Sequence, residues 1–280
     1  FAYDYCLRKG KIPEKTLKSL DLSSLIFLMT AAEPVNPIIY KSFFNYFEPY
    51  GLKASSFLSA YGLAEFTLAV SSRGRKIRSF RSDALQKHQV ILTDPNQPSE
   101  HSTDLVSCGQ PLGDTNLKIV TPELQPKEAG ESEVGEIWLS GTSKCQGYWN
   151  RPEETSNCMH GDYFLTGDIG IIDEDGFFKI VDRKKEMVLV SGFNVYPSEV
   201  EKAITENPKV LEVGVRGGKN DDGTEYVMAF VVKKDESLTK EEVIETCRAN
   251  LTNYKVPREV HFREELPKSN VGKILRRLMK

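Results

Sequence analysis

Three short stretches carry residue types that could handle a phosphate, a sugar and a cation. The last of them reads Leu266-Pro-Lys-Ser-Asn-Val-Gly-Lys-Ile-Leu-Arg-Arg-Leu-Met-Lys280. Pro267, Asn270 and Gly272 shape a loop over 268–273, and Gly272 would let backbone approach a ligand closely. Lys273 would present one compact, mobile ammonium there. The same string also reads as a basic surface tail. A Walker phosphate loop is excluded, because the spacing GxxxxGK[ST] is absent. Tyr61-Gly62-Leu63-Ala64-Glu65 sets an aromatic ring, a glycine and a carboxylate within five residues. That set suits a purine, a close backbone approach and a metal ion, or a structural turn with a core tyrosine. Tyr163-Phe-Leu-Thr-Gly-Asp168 ends on a carboxylate that could accept hydrogen bonds from a ribose diol, or serve as a plain turn residue.

These stretches need elements to position them. Leu25–Met29 is a short apolar run that suits a buried parallel strand. Pro37 to Tyr50 reads as a helix with Phe43, Phe44 and Phe47 inward, and Phe57–Ala60 as the next strand. That order predicts α/β architecture. Arg73, Arg75, Lys76, Arg78 and Arg81 then crowd together ahead of the loop-like Asp94–Ser99, so 72–105 reads as an insertion. Its charge alone fits a solvated basic loop. From 106 to 181 the chain is β-rich, with strands at Leu117–Val120, Gly135–Leu139 and Phe177–Val181 and a hairpin turn at Asp173–Gly176. Four charged residues, Asp182–Lys185, mark a boundary. Beyond it come a strand at Met187–Val190, a helix at Glu199–Thr205 opened by a Ser198-x-x-Glu201 capping box, and strands at Val210–Val215 and Tyr226–Val232. A helix over Thr239–Asn250, with Val243, Ile244 and Cys247 inward, completes a small α+β domain.

Composition narrows the class. At 280 residues the chain has room for about two domains. Its net charge of −3 gives no reason to expect nucleic acid. Five scattered cysteines without a CxxC pair suggest a reduced, cytoplasmic chain. The histidines lack zinc-ligand spacing. No apolar run reaches the roughly 18 residues of a transmembrane segment. The polar start, which lacks Met, reads as part of a longer product.

Taken together, YGLAE, GEIWLSG, GYWNRPEET, YFLTGD, DRKKEMVLVSGFNVYPSEVE and LPKSNVGK resemble the adenylate-forming superfamily in order and spacing. That superfamily includes acyl-CoA ligases, fatty acyl-AMP ligases, luciferases and peptide-synthetase adenylation domains. The resemblance implies that 1–183 is the carboxyl-terminal portion of a large adenylation domain, a parallel-sheet layer plus a small β-barrel-like subdomain. Residues 184–280 would be the small mobile α+β domain. It also implies ATP-dependent activation of a fatty acid to an acyl-adenylate with pyrophosphate release. The acyl group then passes to a phosphopantetheine thiol of CoA or of a carrier protein.

Residue by residue, the resemblance assigns Ala32, Glu33, Pro34 and Tyr61 to the adenine pocket, Gly62 to nucleotide binding, and Glu65 to Mg2+. Asp168 would bind the ribose, assisted by Arg183. Lys185 would be the hinge. Ser191, Gly192, Phe193 and Asn194 would line the pantetheine channel, and Lys273 would be the catalytic lysine of adenylation. One ammonium pre-placed on the developing phosphorane charge is worth about 3–4 kcal/mol.

FAYDYC, LDLSS, TAAEPV, YGLAEFTLAV and VSCGQPLGD in the front half resemble fatty acyl-AMP ligases, as does the insertion. That branch delivers to an acyl carrier protein or a polyketide synthase. The back half resembles bacterial long-chain fatty acyl-CoA ligases. The change falls within 150–165. Ala64 stands where the family commonly has Thr, and Ala31 where most members have Gly. The family's phosphate loop is not among these residues. The chain alone is therefore expected to adenylate poorly, and a docking or structural module is the alternative from a different class.

Overall fold

The computed structural model describes all residues except 1, 9, 32–34, 86–88, 94–101, 122–132, 174 and 270–271. The chain forms two compact units. One comprises 1–79, 104–166 and 170–180; the other comprises 80–103, 167–169 and 181–280. The main division after 180 lies three residues ahead of the expected boundary, and two earlier stretches join the second unit.

In the first unit the predicted strand–helix–strand order is present, but the first strand is Leu28–Thr30 rather than Leu25–Met29 and is not buried: Ile26, Phe27 and Met29 are exposed. Leu28–Thr30 pairs in parallel with Phe57–Tyr61, Leu28 opposite Phe57. Pro37–Phe47 is the connecting helix. The Asn36 side chain caps it, accepting from the amides of Ile38 and Ile39 at 2.9 and 3.2 Å. Pro37 takes the first helical position, where no amide partner is needed. Phe43, Phe44 and Phe47 pack on Phe57 and Leu52, as the inward face predicts. The α-helix stops at Phe47, and Glu48–Tyr50 tightens into a 3-10 turn ahead of Gly51 at φ 85°. Left-handed glycine is a common way to end a helix.

Ser71–Gly74 pairs antiparallel with Phe57–Tyr61 and then with Gln110–Pro111. The expected insertion at 72–105 therefore begins inside a strand of this sheet rather than on a bare loop. Its basic run is also paired: Lys76 reaches Asp175 at 2.6 Å, and Arg78 binds Asp175 and lies 3.8 Å from Asp173. A second sheet runs in the order Phe178–Arg183, Tyr163–Ile172, Gly135–Ser140, Asn116–Val120. Gly176, at φ 73°, donates to the Asp173 carbonyl and closes the predicted hairpin turn.

In the second unit Val210–Lys219 lies antiparallel to Glu225–Lys233, which lies parallel to Glu259–Arg263. The helices Pro197–Thr205 and Lys240–Asn250 supply Val200, Ile204, Val243 and Cys247 to one buried cluster with Val215, Ala229, Val231 and Val260. The predicted α+β order is present.

One local expectation fails. Ser198 and Glu201 do not form a capping box. The helix starts at Pro197, its cap residue is Tyr196, and no side chain caps it. Proline at the first position already removes one orphan amide, which puts Ser198 inside the helix. Ser198 turns its hydroxyl to Asp182 at 2.8 Å, and Glu201 turns elsewhere. The capping box of this unit is Thr239 with Glu242, ahead of Lys240–Asn250.

Candidate functional site

The Tyr61–Glu65 segment leaves the end of the strand Phe57–Tyr61 and turns sharply. Tyr61 is 7% exposed, its ring edge-on to Phe178 at 5.5 Å. The ring is thus a core element of the first unit. Gly62 is required by its own loop, since an added Cβ would sit 1.4 Å from the Leu68 carbonyl oxygen. Thr67 and Leu68 both hold positive φ, 52° and 74°, a conformation that costs energy for residues with a side chain. This fold-back sets Glu65 on the short turn Ala64–Phe66. Its carboxylate accepts from the Tyr148 hydroxyl at 2.6 Å, and its carbonyl accepts from the Cys145 amide at 2.7 Å. Burial, then the Glu65 carboxylate, push the Tyr148 phenol upward, so it stays protonated and donates. Tyr148 belongs to the GYWNRPEET stretch, and its pairing with Glu65 was not foreseen. Ala32, Glu33 and Pro34 lie outside the described residues.

The remaining candidates belong to the second unit. Asp168 is 5% exposed and receives the Arg183 Nε at 2.9 Å. Asp168 lies within the strand Tyr163–Ile172, and the Lys184 amide donates to the Gly167 carbonyl at 2.8 Å, which holds the turn after Arg183 against that strand. Lys185 is exposed in that turn, and the amides of Glu186 and Met187 both donate to the Arg183 carbonyl. The short strands Val188–Val190 and Phe193–Val195 form a hairpin around Ser191 and Gly192, at φ 51° and 84°. Phe193 stacks on Tyr254, centroids 4.8 Å apart, while Asn194 is half-buried.

Lys273 sits on a small hairpin, as the glycine-shaped loop predicts. Lys268 bridges Ile274, the Ser269 amide donates to the Lys273 carbonyl at 2.8 Å, and the Lys273 amide donates to Ser269 Oγ at 3.2 Å. Gly272, at φ 85°, closes the turn. Lys273 is half-buried, and among the described residues no carboxylate pairs with its ammonium. Immediately downstream, Arg276 forks onto Glu201 at 2.7 and 2.8 Å and also binds Glu186. Glu201 in turn accepts from the Val215 amide at 2.8 Å. The sequence reading missed this network; the basic pair after Ile274-Leu275 was its one visible signal.

For the expected magnesium, the fit is one carboxylate. Magnesium bound with a nucleotide typically uses one or two carboxylates together with phosphate oxygens. Glu65 offers one, and no group of three or more acidic, histidine or cysteine ligands occurs among the described residues. The donor set suits an ion shared with a nucleotide rather than an all-protein site.

Comparison with known families places the chain by its sequence. The model described as "AMP-binding enzyme" matches residues 2–149, and the "AMP-binding enzyme C-terminal domain" model matches residues 199–273. The chain belongs to the AMP-binding enzyme family. It is 39% identical over 263 residues to the long-chain-fatty-acid–CoA ligase of Salmonella typhimurium, covering 94% of this chain and 41% of that protein. It is 50% identical over 171 residues to the ligase of that name from Yersinia pestis, covering 61% of this chain and 30% of that protein. The chain thus spans about two fifths or less of these relatives' length. ATP-bound MatB from Rhodopseudomonas palustris superposes with a TM-score of 0.73 at 26% identity, over 97% of this chain and 47% of that one. A structure from work on fatty acyl-adenylate ligases of E. coli and L. pneumophila gives a TM-score of 0.79, over 98% of this chain and 50% of that one. At 20% identity that likeness establishes the fold alone. No helix among the described residues is long and apolar enough to cross a membrane.

Proposed function

We propose that these residues serve ATP-dependent activation of a fatty acid to an acyl-adenylate, followed by transfer to a phosphopantetheine thiol. The observation that carries the reading is the geometry of the second unit. A buried carboxylate held by an arginine, Asp168 with Arg183, adjoins the charged turn at Lys185. The same unit presents Lys273 on a glycine-closed hairpin with no carboxylate partner among the described residues. An ammonium without a fixed counter-charge keeps its field for charge that develops during reaction. In this reading Asp168 accepts from the ribose hydroxyls, Arg183 orients Asp168, and Lys273 donates to the carboxylate and the α-phosphate. Ala32, Glu33 and Pro34 would meet the adenine. Glu65 would hold magnesium, which would neutralise phosphate charge. Tyr61 supports the pocket from the core rather than offering its buried face.

Lys185 is proposed as the hinge about which 184–280 changes pose between the two half-reactions. Ser191, Gly192, Phe193 and Asn194 are proposed to line the thiol's path. CoA is the acceptor the relatives' names favour. Both halves of this chain fall within the 263-residue match to one long-chain CoA ligase. A carrier-protein thiol is the second reading, favoured by one observation: 80–103 belongs to the same compact unit as 181–280. A stretch tied to the small domain would restrict its rotation.

The test is acid-dependent ATP–pyrophosphate exchange in a full-length protein carrying these residues. Lys273→Ala should lower exchange about 10²–10³-fold, the usual cost of removing one transition-state donor. Exchange within threefold of the parent would refute the assignment. Deleting 82–101 should raise CoA turnover if the second reading holds and leave it unchanged if CoA is the natural acceptor.

A further inference from the structure

Arg276 engages two carboxylates of the second unit, and it lies three residues beyond Lys273. Its Nε and one terminal nitrogen fork onto the two oxygens of Glu201 at 2.8 and 2.7 Å, and the other terminal nitrogen binds Glu186. These partners come from separate pieces of chain. Glu201 is on the helix Pro197–Thr205 and is tied to the strand Val210–Lys219 through the Val215 amide. Glu186 is in the turn directly after Lys185, where its amide binds the Arg183 carbonyl. The Leu275 amide donates to the Pro267 carbonyl at 2.8 Å and closes the base of the Lys273 hairpin just before Arg276. Arg276 is therefore the point at which that hairpin, the helix and the charged turn are fastened together.

The chemistry of the fastening is directional. A guanidinium fork fixes both distance and plane against a carboxylate, which a lysine ammonium cannot do. Burial and the two carboxylates act on the group oppositely, and the carboxylates win, so Arg276 is held charged above its ordinary range. The pair is also shielded, with both side chains at or below 20% exposure.

We infer that Arg276 is a positioning residue for Lys273, holding its hairpin at fixed height over the helix and linking it, through Glu186, to the turn at Lys185. The inference rests on the proposed role of Lys273 in adenylation. Because that role belongs to one half-reaction, the effect of Arg276 must be unequal between the two. Loss of a purely structural arginine would depress both alike.

The experiment uses a full-length protein carrying these residues, with the half-reactions assayed separately. In Arg276→Lys, the kcat of pyrophosphate exchange should fall about tenfold or more, with KM for ATP changed less than threefold. Thioester formation from pre-formed acyl-adenylate and thiol should stay within threefold. Glu186→Gln, which spares the Glu201 fork, should lower exchange about threefold in the same direction. Should Arg276→Lys not fold, Glu186→Gln decides. Amide hydrogen exchange at Ser269 and Lys273 should quicken in each folded variant. Equal losses in both half-reactions, or no loss with unchanged amide exchange, overturn the inference. Lys273→Ala separates the two levels. If it spares pyrophosphate exchange, the adenylation reading fails. If it abolishes exchange while Arg276→Lys is silent, only the positioning role fails.

Discussion

The two compact units hold their candidate residues by different forces. In the first, Tyr61 is fixed by burial beside Phe66, Phe164 and Phe178, and Glu65 by one neutral hydroxyl. In the second, Asp168 is held by Arg183 and the Lys273 hairpin by Arg276. The first unit also has a buried ion pair, Lys179 with Asp173. That pair pins the hairpin turn, where Asp173 accepts from the amides of Asp175 and Phe177, and touches no candidate residue. Apolar burial is non-directional; it keeps a ring in place without aiming a group. Charged forks aim. In the second unit Asp168 and the Lys273 hairpin are fastened by charge, while Phe193 rests on Tyr254 by stacking.

The sharpest way to break this comparison is to remove one charge from the second unit. Arg276→Ala leaves Glu201 without its fork, in a site where burial already pushes that carboxyl upward against the opposing pull of Arg276. Breaking a shielded pair from one side typically costs about 3–5 kcal/mol. Because both side chains keep some exposure, the lower end, about 3 kcal/mol, is expected in urea unfolding of the chain. Replacing both partners, as Arg276→Met with Glu201→Leu, should recover part of the loss, because the more shielded Glu201 charge is no longer stranded, while Glu186 and the Val215 amide still lose their partners. A loss below about 1 kcal/mol for Arg276→Ala, the value of an exposed pair, would mean that charge does not organise this unit.

The same contrast explains what could be read from the sequence. The strand–helix–strand of the first unit follows from apolar runs and from Phe43, Phe44 and Phe47 at helical spacing. The α+β order of the second follows from its alternating valines. The glycine-shaped loop around Lys273 was legible because Gly272 needs a left-handed turn. The ion-pair network was not. Ser198-x-x-Glu201 satisfies the pattern of a capping box, but the pattern cannot tell that Asp182 and Arg276, from distant segments, will claim those side chains. Gly62 was similarly ambiguous: a close approach was expected of a ligand, and it is Leu68 of the same loop that makes it.

In the first unit the matching test is Tyr148→Phe, which deletes the hydroxyl that donates to Glu65. A hydrogen bond to a charged acceptor contributes about 1.5–3 kcal/mol when buried, and a typical one about 1. With Tyr148 39% exposed, a loss of about 1 kcal/mol is expected by urea or thermal unfolding. The aromatic cluster around Tyr61 should be undisturbed, with unchanged near-ultraviolet circular dichroism. A loss comparable to that of Arg276→Ala would erase the distinction between the units.

Acid provides the mildest discrimination, through the helix caps. The helix Pro37–Phe47 of the first unit is capped by Asn36, which does not titrate. The helix Lys240–Asn250 of the second is capped by Thr239 and Glu242, the Glu242 carboxylate accepting from the Thr239 amide at 3.0 Å. The Lys209 ammonium, 2.7 Å from Glu242, together with that amide holds the carboxyl below its ordinary value of 4.5. A carboxyl with a depressed folded-state pKa binds fewer protons folded than unfolded, so its contribution is present above pH 4.5 and disappears as pH falls through the folded value. Amide exchange from pH 6 to pH 3, corrected for intrinsic rates, should therefore lose protection at Thr239 by roughly two- to threefold, the scale of a weakened cap. Ile38 and Ile39, bonded to Asn36, should keep theirs. Glu242→Gln should remove the pH dependence at Thr239, because the amide oxygen can still accept but no longer titrates. Equal loss at both caps would trace the acid response to the chain as a whole rather than to the charged fastening of the second unit.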